Sequence, residues 1–363
     1  MKLKSIISII MIAVLTFLAA SCSTSEEING NSKNDNNVSF NSKKASSKSE
    51  NNPNHYKKLY GKLQRFDNVI DTKDFSWKGE KYTLDSDTTD ENYTKSWTGD
   101  KGSYILTNAG YIYYTAKEFS YNYDALLWDK QGKLREDFDT VTKNVSGVYG
   151  ISEQEALERV QKIIDKYNIS ATDIKAYPLD KNVLKILARD YMSDEEYEEY
   201  IKDDERGAMK RDFTKEDEVY IVTMKPTVGE YILYNNEYDY GRNVSNGSWI
   251  YALVRRDKVI NLYIGDVFET EKNRRDIDKI ITEDEAKDLL AEKFRNNILP
   301  DKVVCNSVDI TYISVNGGEK LEFIHAYVFE VKYPIANDEK NSSDITYVTE
   351  NILLDAEKGK WIE

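Results

Sequence analysis

The sequence predicts an α+β protein built from helix-on-antiparallel-sheet modules, duplicated, and preceded by a strand-rich N-terminal segment. Three observations predict it. Tyrosine- and isoleucine-rich runs separated by Gly- and Asn-containing turns fill much of the chain after residue 55. Two amphipathic helices open on the same capping signature, Ile151-Ser152-Glu153-Gln154-Glu155-Ala156 and Ile281-Thr282-Glu283-Asp284-Glu285-Ala286. Each of those helices is followed by strand patterns, and a helix laid across one face of an antiparallel sheet is the arrangement that buries both.

The first element is not part of the fold. Lys2 and Lys4 precede an almost wholly apolar run from Ile6 to Leu18, which ends in Ala19-Ala20-Ser21 and then Cys22. The run has the length of a secretory signal and falls short of the ~20 apolar residues of a spanning helix. Together these residues resemble the lipobox of bacterial lipoproteins. The resemblance implies cleavage of residues 1–21 and attachment of a diacylglycerol to the sulfur of Cys22, so that the mature chain is lipid-anchored on the extracytoplasmic face of the cell membrane. Ala19 stands where the commonest lipobox has Leu. Two or three acyl chains at ~0.8 kcal/mol per buried methylene anchor a protein firmly, where one chain holds it only reversibly.

Residues 22–54 are rich in Ser, Asn, Lys and Glu, with Ile28, Val38 and Phe40 as the large apolar residues. Such a stretch buries too little surface to offset its ordering entropy, which predicts a disordered linker. Residues 55–150 then read as a strand-rich region. Its clearest unit is a hairpin, Ser103–Thr107 and Tyr111–Thr115 about Asn108-Ala109-Gly110. Trp77, Trp97 and Trp128 are expected to pack its sheets.

Residues 151–280 form the first expected module. On its helix Ala156, Leu157, Val160, Ile163, Ile164 and Tyr167 share a stripe. Strands are expected over residues 218–224, 231–234, 249–254 and 259–264, after an acidic helical insertion. Residues 281–363 form the second, with Ala286, Leu289, Leu290 and Phe294 on the helix stripe and strands over 308–315, 321–333 and 345–354. Ser152, Glu155, Thr282 and Glu285 are the helix-capping residues, and their role is structural.

The Ile-Ser/Thr-Glu-x-x-Ala opening, the strands after it, and the closing Asp355-Ala356-Glu357-Lys358-Gly359 resemble PepSY-type extracytoplasmic modules. The layout is similar to surface lipoproteins of clostridia and related Firmicutes. The resemblance covers about residues 151–363, with an insertion between Ala188 and Asp217 that a minimal module lacks. It implies modules that bind or inhibit partners outside the cell rather than catalyse.

Composition narrows the function classes. Sixty-four acidic residues against 50 basic ones give a net charge of −14. Loss of Lys2 and Lys4 with the signal segment takes it to −16. That balance argues against nucleic acid, whose phosphates require a basic footprint. Only Cys305 remains beside Cys22, which leaves no intrachain disulfide.

The residues that carry most catalytic chemistry are scarce. His55 has no partner pattern around it. His325 alternates onto the same face as Phe323, Tyr327 and Phe329, as a sheet-face histidine does, and a nucleophilic triad or a zinc site would have to be built almost entirely from this one residue. Cys305 reads as a buried, inert thiol. The acidic run from Asp194 to Glu205, capped by Ser193, reads as a solvated helix; its sharper alternatives are a weak calcium site or a dock for a basic partner. Asp85 to Glu91 begins like an EF-hand loop but lacks the glycine required at its sixth position. The expectation is therefore no catalytic residues, no metal and no cofactor, and a non-catalytic ectodomain that binds or regulates a protein or cell-envelope partner. The alternatives are an envelope hydrolase using paired carboxylates and a solute-binding lipoprotein of a transporter.

Overall fold

The computed structural model describes residues 38–40, 56–66, 68–76, 78–88, 94–117, 126–127, 135, 137–191, 193–200, 212–229, 231–234, 249–295, 302–316, 320–335 and 346–362. In chain order these form β1 (Val38–Phe40), β2 (Lys57–Leu63), β3 (Tyr82–Asp87), β4 (Lys95–Gly99), β5 (Tyr104–Asn108), β6 (Tyr111–Thr115), α1 (Phe138–Val141), α2 (Glu153–Lys166), β7 (Ala171–Leu179), α3 (Lys181–Tyr191) and α4 (Asp194–Tyr200). They continue as β8 (Val219–Val228), β9 (Tyr231–Ile232), β10 (Trp249–Val254), β11 (Val259–Gly265), β12 (Phe268–Asp276), α5 (Glu283–Arg295), β13 (Val303–Asn316), β14 (Leu321–Ile335), β15 (Thr346–Asp355) and β16 (Lys360–Ile362).

Two sheets dominate. The larger has nine strands in the order β3-β4-β5-β6-β11-β10-β8-β7, with β9 on β8. The smaller has seven, in the order β1-β13-β14-β15-β16, with β2 pairing both β14 and β12. Strand β14 explains how both β2 and β15 fit on one edge. Its first residues, Leu321–Phe323, pair with β2, and Ala326–Ile335 pair with β15.

The expected fold class is overturned. The described chain is 50% strand and 23% helix, a sheet-dominated fold and not a pair of helix-on-sheet modules behind a strand-rich segment. Strands from residues 55–150 do not form a layer of their own. β6 zips onto β11 from Ile112–Ile264 to Thr115–Asn261, which extends the sheet of residues 171–265 by four strands. Strand β2 crosses to the other sheet. The physical reason is that each strand edge offers N–H and C=O groups that must be satisfied. The edges of β6 and β11 satisfy each other, whereas alternation within a strand says nothing about which distant edge it will meet.

Within this fold α2 lays Ala156, Val160 and Ile164 into the large core, with Ile250, Leu262 and Ile264 among their companions. α5 buries Ala286, Leu290 and Phe294 in a second core with Phe329 and Leu354. Val38–Phe40, inside the stretch read as disordered, form a strand parallel to β13, because Val38 is one of the few apolar residues there and finds a place in the second core. Of the tryptophans expected to pack the sheets, Trp97 lies partly buried against the large core; Trp77 and Trp128 lie outside the described residues.

Candidate functional site

Helix α2 begins on Ser152. Its hydroxyl accepts the Glu155 N–H at 3.2 Å, and the Glu155 carboxylate takes the Ser152 N–H at 2.9 Å. Those bonds from the Ser152 backbone and hydroxyl hold the Glu155 carboxyl below its ordinary range. Thr282 and Glu285 repeat the arrangement at the start of α5, at 3.2 and 2.7 Å. The cap fixes where α2 starts, and therefore which of its residues face the sheet.

With Ala156, Val160 and Ile164 turned inward, Arg159, Lys162 and Lys166 fall on an adjoining face, spaced three and four residues apart. They line a cavity of about 370 Å³. Its other walls are Asp74, Phe75 and Ser76, Tyr114 of β6, and Lys258 and Val259 from the turn between β10 and β11. Four cations thus surround one carboxylate, over a floor in which the buried rings of Phe75 and Tyr114 lie 5.0 Å apart.

The cations are held differently. Arg159 clamps the turn, donating to the Arg255 and Arg256 carbonyls at 3.0 Å each. Lys166 pairs with Asp74 at 2.5 Å and with Asp71 at 3.8 Å, and the hydrogen bond to Asp74 raises its pKa. The Tyr167 hydroxyl donates to the same Asp74 carboxylate; burial and that bond push the phenol pKa up. Lys162 has no ion pair among the described residues. Asp74, the carboxylate among the described lining residues, is therefore already engaged. Ser76 donates its hydroxyl to the Thr72 carbonyl at 3.0 Å, and neither histidine nor cysteine is in the lining. The arrangement suits holding an anion.

Comparison with known sequence families finds no match, and comparison with curated proteins finds none either. The fold is similar to the crystal structure of an uncharacterized protein from Eubacterium rectale ATCC 33656, with 13% sequence identity and a TM-score of 0.52. The match covers 85% of this chain and 86% of that one. At that identity it speaks for the shared fold alone.

The described residues singled out from sequence for their chemistry lie elsewhere. Cys22 and His55 are outside the described residues. His325 is buried, its ring 4.9, 5.1 and 4.8 Å from those of Tyr56, Tyr231 and Tyr312. Burial lowers its pKa to about 4, so it is a neutral residue of the sheet face. Cys305 is buried with its thiol pushed up to about 11 by burial. Ser193 caps α4, accepting the Glu196 N–H at 3.2 Å; residues 201–205 of the acidic run lie outside the described set. Asp85 and Asp87 sit in strand β3, with Asp85 accepting the Thr98 hydroxyl at 2.5 Å and Asp87 paired with Lys95 at 3.4 Å. Among the described residues no group of three or more His, Cys, Asp or Glu is placed to hold a metal.

Sequence reading passed over the four cations. Arg159-x-x-Lys162-x-x-x-Lys166 is legible as one helix face once the apolar stripe is drawn. Lys258 is not, because only the pairing of β10 with β11 brings its turn to that face.

Proposed function

We propose that this chain is an extracytoplasmic protein held to the membrane by a lipid on Cys22, and that its ectodomain binds rather than catalyses. In this reading the cavity beside α2 receives an anionic ligand, either free or as the anionic group of a cell-envelope partner. The observation that carries it is the set of four cations and one carboxylate around a single cavity, in a chain of net charge −14. An acidic body repels anions at long range, so a concave cluster of the opposite sign is the place where one is drawn in. Lys162 in particular has no ion pair among the described residues, and a bound anion would supply its countercharge. The hydrolase alternative draws less support, since Asp74 is the one carboxylate among the described lining residues and that chemistry needs two.

Thermal unfolding of the full chain in inorganic phosphate, against chloride at equal ionic strength, tests the cavity. Phosphate is expected to raise the Tm of the natural protein and to lose that effect in Lys162→Glu. An equal response in both proteins, or no response in the natural one, overturns the assignment. The anchor is tested by Cys22→Ala, which should release the protein into the medium or block its processing. Continued membrane retention with palmitate still incorporated would show the lipid to be elsewhere.

A further inference from the structure

Strand β1 comes from the stretch between Cys22 and the rest of the fold, yet it is seated on the sheet. Val38, Ser39 and Phe40 lie opposite Val303, Val304 and Cys305, in the one parallel pairing among the described strands. The Val38 side chain is 6% exposed and shares the core beneath α5 with Cys305, Leu290 and Phe294. The Ser39 hydroxyl donates to the Val303 carbonyl at 3.3 Å. Phe40 keeps to the same side as Val38, two residues on, where the Lys287 ammonium of α5 stands 5.9 Å over its ring.

The seat is small. β1 is three residues long, pairs with β13 alone among the described strands, and brings one buried side chain. By contrast β2 runs seven residues and pairs on both edges. Few hydrogen bonds and one valine must offset the entropy of ordering three residues, so opening there is local and precedes opening of the sheet.

We propose that β1 is a strap by which the ectodomain grips its own tether. Seated, the first described strand begins 16 residues after Cys22; released, the first described strand still on the body is β2, beginning 35 residues after it. At up to ~3.4 Å per residue the greatest span from the lipid to the body rises from ~55 to ~120 Å. Release also bares the edge of β13 at Cys305, which lies opposite Phe40 in the pairing. The change in span rests on the lipid reading of Cys22, whereas the strap itself does not.

The native cysteine reports the strap directly. Maleimide labelling of Cys305 in the full chain, read on its own peptide by mass spectrometry, is blind to the state of Cys22. Val38→Asp should raise the labelling rate about tenfold or more by favouring the open edge. Phe40→Cys places a second thiol on the same side of the paired strand, and mild oxidation should join it to Cys305 if the strands are seated in this register. A folded Val38→Asp protein with an unchanged rate overturns the proposal. So does failure of Phe40→Cys to cross-link, which decides the matter should Val38→Asp not fold. On a supported bilayer the body of lipidated Val38→Asp should stand higher than that of oxidised Phe40→Cys. Equal heights overturn the strap's control of reach, while failure of both to attach overturns the anchor and leaves the cross-link result standing.

Discussion

The carboxylate of Glu80 holds Ser103 at two points, taking its backbone N–H at 3.2 Å and its hydroxyl at 2.9 Å. It also takes the Lys101 N–H at 3.2 Å. Both Glu80 and Ser103 are buried, so one side chain organises the whole turn from β4 to β5. Glu80→Ala takes this acceptor from the buried N–H and hydroxyl of Ser103 and is expected to cost about 2–4 kcal/mol in lost hydrogen bonds and uncompensated desolvation. Urea unfolding monitored by fluorescence measures it. Gly99→Ala attacks the same contact from the other side. A Cβ there would run into the Glu80 carboxylate, and a comparable loss is expected.

His325 makes stability depend on pH in a defined direction. Its folded pKa is about 4, whereas an unfolded histidine titrates near ~6.5. Between those values the unfolded chain binds the proton and the folded chain does not, so this contribution is complete above pH ~6.5 and is lost as pH falls toward 4. The full difference is about 3 kcal/mol. Carboxylates titrate over the lower part of the same range, which makes a comparison necessary. His325→Phe should flatten the stability profile between pH 7 and pH 5 relative to the natural protein, and parallel profiles would assign the dependence to other groups.

Much of this fold was legible where information is local. The strand at Trp249–Val254 and the hairpin about Asn108–Gly110 follow from alternation and turn chemistry. The capping residues Ser152, Glu155, Thr282 and Glu285 follow from a spacing of three. What was not legible is long-range. Nothing in Tyr111–Thr115 announces that it will pair with residues 261–264, and that pairing merges two expected regions into one nine-stranded sheet. Strands at Ala171–Leu179 and Phe268–Asp276 carry charges that broke the alternation. The candidate cavity divides in the same way. Arg159, Lys162 and Lys166 lie along one helix, while Lys258 and Asp74 reach it only through the tertiary fold.

The two capping boxes offer a graded test of local against global stability. Ser152→Ala and Thr282→Ala each remove the acceptor for the third N–H of a helix and should each cost about 1 kcal/mol. Native-state hydrogen exchange should show the loss first in the opening turn of α2 or α5. A loss spread evenly over both sheets would mean that each helix opens only with the entire fold.

Tyr312 of β13 ties β2 to the seven-stranded sheet where the ladder of β2 with β14 ends, at Leu59 opposite Phe323. Its hydroxyl accepts the Leu59 N–H at 3.1 Å and donates to the Lys57 carbonyl at 3.0 Å, so one side chain from β13 satisfies both polar groups of a stretch of β2. Its own carbonyl takes the Tyr234 N–H at 2.7 Å, next to the bridge from Leu233 that reaches β13. Burial raises the phenol pKa well above its ordinary value, so the group stays protonated and can keep donating. Tyr312→Phe preserves the ring, which lies 4.6 Å from that of Tyr231, and removes only the hydroxyl. The expected cost is about 1–3 kcal/mol, set by the Leu59 N–H left unsatisfied in a buried site. Exchange of that amide should accelerate more than exchange along the β13–β14 ladder, and equal acceleration in both would show that the loss is of packing and not of this bond.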